Sequence, residues 1–269
     1  MPDPVPEDVQ NALRSSARRR GPFGEPLLYF LTAGSTNDIA ASLAEAGAPQ
    51  GATVMAAAQT AGRGRLGREW FSPPGAGLYV SVVCRSQRAT PLLTLAGGVA
   101  VARGIRRATG LPVTIKWPND VVIADRLAPA GRRKLAGVLA EGSNGPDGLQ
   151  YVVVGFGINL NRASYPPLIA DRVTSVEMEL GRPAEAGAVL SELLIALNEE
   201  ITGLETGNTG AVLAHWRELA PSSVGTPVEW SGNGTIDRGT TAGIDDQGAL
   251  LVRVAGRVER IIAGEVKWL

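Results

Sequence analysis

Three short runs concentrate the residue types that bind and activate anions. The first is Gln59-Thr60-Ala61-Gly62-Arg63-Gly64-Arg65-Leu66-Gly67-Arg68-Glu69-Trp70, in which three glycines alternate with three arginines. Glycine lets the backbone come close to a ligand and aim successive N–H groups at an anion. Arginine presents a planar fork to phosphate or carboxylate. A loop of this composition is costly to order alone and is expected to order when an anion arrives. The competing reading is a flexible arginine-glycine linker or RNA-binding tract. Against it stands the placement, a single copy between two core strands. The second run, Lys116-Trp117-Pro118-Asn119-Asp120, closes a strand with a tight turn and leaves an amide beside a carboxylate. Such oxygen pairs suit Mg²⁺ held with nucleotide phosphates; a plain Pro-Asn-Asp turn is the alternative. The third, Lys134-Leu135-Ala136-Gly137-Val138-Leu139-Ala140-Glu141, opens an apolar strand with a lysine. That lysine is either a solvated strand end or a cation aimed into a pocket. Gly137 implies the close approach of a ligand or another backbone.

Two further runs are more ambiguous. Ser35-Thr36-Asn37 offers helix caps, or equally donors and acceptors for a small polar ligand. Gly155-Phe156-Gly157-Ile158-Asn159 follows a strand but lacks the helix and third glycine of a dinucleotide fingerprint. A Walker A loop is absent too. His215 is the lone histidine and sits in a helical context, and Cys84 lies in an apolar strand. With no base near Cys84, nucleophilic Ser-His or Cys-His catalysis is excluded as the working model.

These residues need a scaffold, and the pattern predicts one. Strands are expected at Leu27–Leu31, Val54–Ala58, Leu78–Cys84, Val113–Lys116, Val121–Ala124, Leu135–Glu141 and Tyr151–Phe156. Helices are expected from Ser35 to Ala46, over Pro91–Thr109, over Pro183–Leu204 and over Ala211–Leu219. Residues 1–23 read as a tail with one short helix around 7–20. After Pro221 the runs become short and alternating, the pattern of a small all-β module. The expected organisation is α+β: a tail over 1–23, a main domain over 24–221 and an SH3-like barrel over 222–269.

Composition narrows the function. The chain has 269 residues, with 26 basic and 26 acidic, so formal charge is zero. Non-specific coating of nucleic acid needs excess positive charge and is disfavoured. No apolar run approaches the ~20 residues of a membrane span, and residues 1–22 lack the apolar centre of a secretory signal. The single cysteine excludes an internal disulfide and a multi-cysteine zinc site, and points to a reducing cytoplasm.

Taken in order, these segments resemble the biotin protein ligases. The family's glycine-arginine loop matches Gly62–Trp70 without a gap, KWPND matches Lys116–Asp120, KLAGxLxE matches Lys134–Glu141, and GxGxN matches Gly155–Asn159. The resemblance covers roughly residues 28–269. It implies a mixed-sheet catalytic domain of the class II synthetase-like biotin/lipoate ligase type, followed by the small barrel. It implies ATP-dependent formation of biotinyl-5′-AMP, then transfer of biotin to one lysine of a biotin carboxyl carrier domain. Ser35, Thr36, Asn37 and Gln59 would contact the ureido ring. Gly62, Arg63, Gly64 and Arg65 would cover biotin and phosphates, Arg65 retaining the adenylate. Lys134 would contact both the biotin carboxylate and the α-phosphate as the main electrostatic catalyst. Gly137 and Leu139 would line the biotin pocket. Lys116, Trp117 and Asn119 would face the nucleotide, Asp120 the Mg²⁺, and Asn159 the adenine. Arg132 or Arg133 could compete for the phosphates. No operator DNA binding is expected, because only about 25 residues precede the first strand. Alternatives are a lipoate-protein ligase of the same superfamily, or a non-enzymatic biotin-sensing or RNA-binding module. Pyrophosphate release separates these classes.

Overall fold

The strand Gly148–Asn159 shows why the main sheet has two unlike faces. Side chains alternate across a strand. Val152, Val154, Phe156 and Ile158 enter one large apolar core, while Tyr151 and Val153 join a separate, smaller cluster on the opposite side. Gly155 and Gly157 continue that second side with no side chain at all. The strand Arg132–Gly145 repeats the pattern, with Ala136 and Val138 inward and Gly137 between them.

The computed structural model describes residues 1–85, 90–128, 131–146, 148–232 and 235–269. In chain order the elements are α1 (Glu7–Arg20), β1 (Leu27–Phe30), α2 (Thr36–Glu45), β2 (Thr53–Ala56), β3 (Gly77–Cys84), α3 (Thr90–Thr109), β4 (Thr114–Lys116), β5 (Asp120–Ala124), β6 (Arg132–Gly145) and β7 (Gly148–Asn159). There follow α4 (Val176–Leu180), α5 (Ala186–Glu205), α6 (Thr209–Leu219), β8 (Val224–Gly232), β9 (Thr235–Ile244), β10 (Leu250–Val254), β11 (Arg257–Ile261) and β12 (Val266–Trp268). Seven strands form a mixed sheet in the order β1-β2-β3-β7-β6-β5-β4. Only β1 and β2 pair in parallel; the remaining neighbours are antiparallel. Helix α3 lies on the large-core face of the sheet with α5 packed against it, and α2 covers part of the other face.

The segment before β1 differs from the expected tail. Helix α1 forms where expected, but Val9 and Leu13 are buried in the main core against α5. Its guanidinium Arg20 is buried as well and donates to the Leu13 and Phe23 carbonyls at 3.2 and 2.8 Å. A Cβ at Gly187 would meet the Asp8 carbonyl at 2.5 Å, so the glycine permits close helix contact. The sequence signal was weak because α1 contributes only a narrow apolar stripe.

Strands β8 to β12 form an antiparallel sheet in the order β11-β10-β9-β8-β12. Its apolar residues Val228, Trp230, Leu250, Val252, Val266 and Trp268 belong to the same core cluster as the main domain. The Trp117 indole N–H donates to the Gly248 carbonyl at 3.0 Å, tying the β4–β5 turn to this module. Strands β6 and β7 extend well beyond the apolar runs that predict them. No helix among the described residues is long and apolar enough to cross a membrane.

Candidate active site

The second face of the sheet carries an open cleft. Its floor is Gly137, Gly155 and Gly157. Each glycine is required by a neighbour. A Cβ on Gly155 would overlap the Asn37 amide, and one on Gly157 would overlap the Trp70 indole. A Cβ on Gly137 would stand 3.0 Å from the Trp70 ring and 3.1 Å from Lys134 Nζ. The close approach expected at Gly137 is therefore made by a side chain of the chain itself. Trp70 also lies under Lys134, whose Nζ is 4.9 Å from its ring centroid, a cation–π distance.

One end of the cleft is polar. Gln59 Oε1 accepts from the Thr36 backbone N–H at 2.8 Å and from Thr36 Oγ1 at 3.0 Å. Ser81 Oγ lies 2.6 Å from Asn37 Oδ1 and 2.8 Å from Thr36 Oγ1. The Asn37 amide donates to Glu141 at 2.6 Å. Thr36, Asn37 and Ser81 are buried, so this network fixes their rotamers.

The glycine-arginine loop is a hairpin rather than an open coil. Trp70 N–H donates to the Gly62 carbonyl at 2.9 Å and Gly64 N–H to the Arg68 carbonyl at 2.7 Å. A short 3₁₀ turn at Arg65–Gly67 forms its tip, with Leu66 at φ 58°. Gln59 Nε2 donates to Ser72 Oγ at 3.0 Å, which closes the base. Arg63 is paired with Asp38 and Glu141, and Arg68 with Glu265 of the C-terminal module.

The other end is cationic. Lys134 Nζ sits 2.5 Å from Asp120 Oδ1. Burial alone would raise the Asp120 carboxyl, but Lys134, Lys116 and Arg65 outweigh it and hold it below its ordinary value. Lys116 is pushed down by burial, against the pull of Asp120 and with the help of Lys134 and Arg132. Burial likewise lowers Arg65, which Asp120 partly offsets. Three cations thus converge on one carboxylate, an arrangement that favours an incoming anion. Lys134 is held from behind: its N–H donates to the Arg172 carbonyl at 2.7 Å, and its carbonyl accepts from Thr174 N–H at 2.9 Å.

Comparison with known proteins agrees with this geometry. Residues 29–159 match the Biotin/lipoate A/B protein ligase family, and residues 228–267 match the Biotin protein ligase C terminal domain. The chain is 35% identical to the biotin–[acetyl-CoA-carboxylase] ligase of Mycobacterium tuberculosis, over 96% of this chain and 94% of that protein. It belongs to the biotin protein ligase family. The corresponding ligase of Paracoccus denitrificans is 33% identical over 86% of this chain and 96% of its own. Among solved structures, the biotin protein ligase of Aquifex aeolicus in complex with biotin and ATP superposes with a TM-score of 0.76 at 27% identity, covering 90% of this chain and 98% of that one.

In this biotin protein ligase relative the cleft brings together Ser35, Thr36, Asn37, Gln59, Arg63, Gly64, Arg65, Lys116, Trp117, Asn119, Asp120, Lys134, Gly137 and Leu139. Gly62 and Asn159 do not line it. Gly62 lies beneath the hairpin, where a Cβ would meet Ser72 Oγ and the Trp70 carbonyl at 2.6 Å. The Asn159 amide donates to the Thr174 carbonyl at 3.0 Å, so it braces the segment that grips Lys134. Asn119 lines the cleft but spends its amide on the Val138 carbonyl at 2.8 Å, which pins the turn to β6. Arg133 is paired with Asp125 and Glu179, leading away from the cleft. Positions 129–130 of the insertion before it lie outside the described residues. The sequence reading missed Trp70, Ser81, Glu141, Asp38 and Glu265 as site residues. For Ser81 and Glu141 the signal existed: period two puts them on the glycine face. His215 is remote from the cleft and pairs with buried Glu200 at 3.0 Å, a structural role. No group of three His, Cys, Asp or Glu residues among the described ones could hold a metal.

Proposed function

We propose that this chain is an ATP-dependent biotin protein ligase that acts through two half-reactions in this cleft. The observation that carries the proposal is the convergence of Lys134, Lys116 and Arg65 beside a glycine floor whose far end is a prebuilt polar network. Two anions, a carboxylate and a triphosphate, must meet without repelling each other, and clustered cations make that possible. Thr36, Asn37 and Gln59 suit the ureido ring, whose carbonyl accepts and whose two N–H groups donate. The glycine floor suits the flat fused rings. The indole N–H of Trp70 is buried against the glycine floor without a hydrogen-bond partner among the described residues.

The biotin carboxylate oxygen attacks the α-phosphorus of ATP. A P–O bond forms, the α–β bridging bond breaks, and pyrophosphate leaves. Lys134 is assigned the carboxylate and the α-phosphate, with Lys116 and Arg65 serving the remaining charge. Asp120, which lines the cationic end of the cleft, would hold a magnesium ion, and that ion would neutralise charge on the triphosphate. The ε-amine of an acceptor lysine then attacks the mixed anhydride carbonyl, AMP leaves, and the amine's proton goes to solvent. The hairpin covers the anhydride against water. The acceptor is a carboxyl carrier domain, by analogy with relatives named for acetyl-CoA-carboxylase. The buried lone thiol is consistent with a reducing cytoplasm.

The decisive assay is acid-dependent pyrophosphate release from Mg-ATP, with biotin and lipoate compared in parallel. Release with biotin alone is expected. Release with lipoate alone would change the substrate, and release with neither would remove the enzymatic reading in favour of a binding module.

A further inference from the structure

The three arginines of the hairpin are not equivalent. Arg63 makes a fork-on-fork pair with Asp38, at 2.8 Å from Nη1 to Oδ2 and 2.6 Å from Nη2 to Oδ1. Its Nη2 also reaches Glu141 at 3.3 Å. Both donor arms are therefore engaged by carboxylates of the chain. Arg65, two residues on, instead faces the Asp120 cluster. Asp38 sits in the first turn of α2, where a negative charge is favoured. Glu141 lies on β6 and takes the Asn37 amide at 2.6 Å, and Asn37 contacts buried Ser81 at 2.6 Å. A continuous polar chain thus runs from the sheet, through α2, to one side of the hairpin. Arg63 forms part of the wall between the main cleft and a second cavity lined by Asp38, Glu141 and Tyr151.

Resting on the ligase reading above, we propose that Asp38, with Glu141, is a positioning residue: a carboxylate dock that holds the hairpin down through Arg63, so that Arg65 stays aimed at the phosphates. Arg63 then serves as a hinge pin rather than a ligand-binding cation. The geometry favours this division. A bidentate arginine–carboxylate pair fixes orientation as well as position, which a lysine could not do. Asp38 and Arg63 are both partly exposed, at 60% and 38%, so the pair is weak enough to open and reclose each turnover. The charges facing Arg63 come from α2 and β6. The Arg63 fork holds the Asp38 carboxyl below its ordinary value, so the dock stays intact across neutral pH and fails only as acid protonates Asp38.

The test compares Asp38→Ala, Asp38→Glu and the unaltered chain in two assays. The first is biotin-dependent pyrophosphate release. Asp38→Ala is expected to raise the KM for ATP three- to tenfold with kcat within twofold, and Asp38→Glu to restore most of it. The second is tryptic cleavage within residues 63–68 of the native, unliganded protein. Asp38→Ala is expected to be cut several-fold faster, and 0.5 M NaCl to speed cleavage of the unaltered chain toward that rate. Combining Asp38→Asn with Arg63→Gln should add little to either single change. Unchanged cleavage and unchanged KM in Asp38→Ala would overturn the dock, as would a loss of kcat alone. Absence of biotin-dependent release from the unaltered chain would instead sink the ligase reading, and the cleavage assay would still decide the dock.

Discussion

The two faces of β6 and β7 use the same backbone for opposite ends. On one face, Val138, Val154, Phe156 and Ile158 are fully packed and their side chains carry the information. On the other, Gly137, Gly155 and Gly157 carry it by having none. The packed face tolerates no loss of volume. The cleft face tolerates no gain, because Asn37 and Trp70 already occupy the space that a Cβ would fill. Stability and chemistry are thus separated by one residue along each strand, and substitutions on neighbouring positions should fail in different ways.

The largest expected effect is on the packed face. Phe156→Ala should lose about 4 kcal/mol of stability, the usual cost of emptying an aromatic core site. Chemical denaturation would show it as a lowered midpoint. A loss below ~1 kcal/mol would mean the face is not close-packed. On the cleft face, Gly157→Ala should leave the denaturation midpoint nearly unchanged. It should weaken biotin binding by about 2 kcal/mol, because the new methyl displaces the Trp70 indole. Calorimetric titration would read this, and unaltered affinity would show that Trp70 is not fixed in the site. The smallest effect is expected at Cys84, on the packed face of β3. Burial pushes its thiol up to about 12. At pH 8 only about one molecule in ten thousand would carry the thiolate, so a maleimide should label the native protein no faster than it unfolds. Rapid native labelling would place β3 outside the core.

Much of this asymmetry was legible in the sequence. The strands, the two long helices and the four motif segments follow from apolar periodicity, turn residues and the order of the runs. The glycines pointed to close approach, but whether a ligand or a protein side chain came close depended on where Trp70 folds back. That is set by the hairpin bonds between Gly62, Gly64, Arg68 and Trp70, which local propensity does not specify. The partners of Arg63 were not legible, because a charge in sequence carries no record of what it pairs with. Asp38 is 25 residues away and Glu141 is 78. The bond from Asn159 to the Thr174 carbonyl was hidden for the same reason, since Thr174 lies in a segment with no pattern of its own. Helix α1 was legible as a helix but not as part of the core, since its partner α5 lies some 180 residues downstream.

The most direct test of the central claim is to recover what the chain makes and holds when no acceptor is present. Wild-type protein mixed with biotin, Mg-ATP and pyrophosphatase, then desalted and analysed by mass spectrometry, should carry about one biotinyl-AMP per chain. Lys134→Ala should carry none, its rate of adenylate formation falling about a thousandfold, ~4 kcal/mol of lost transition-state stabilisation. Equal amounts of adenylate in both proteins would contradict the account, because the cation at the head of β6 would then have no part in bringing the two anions together.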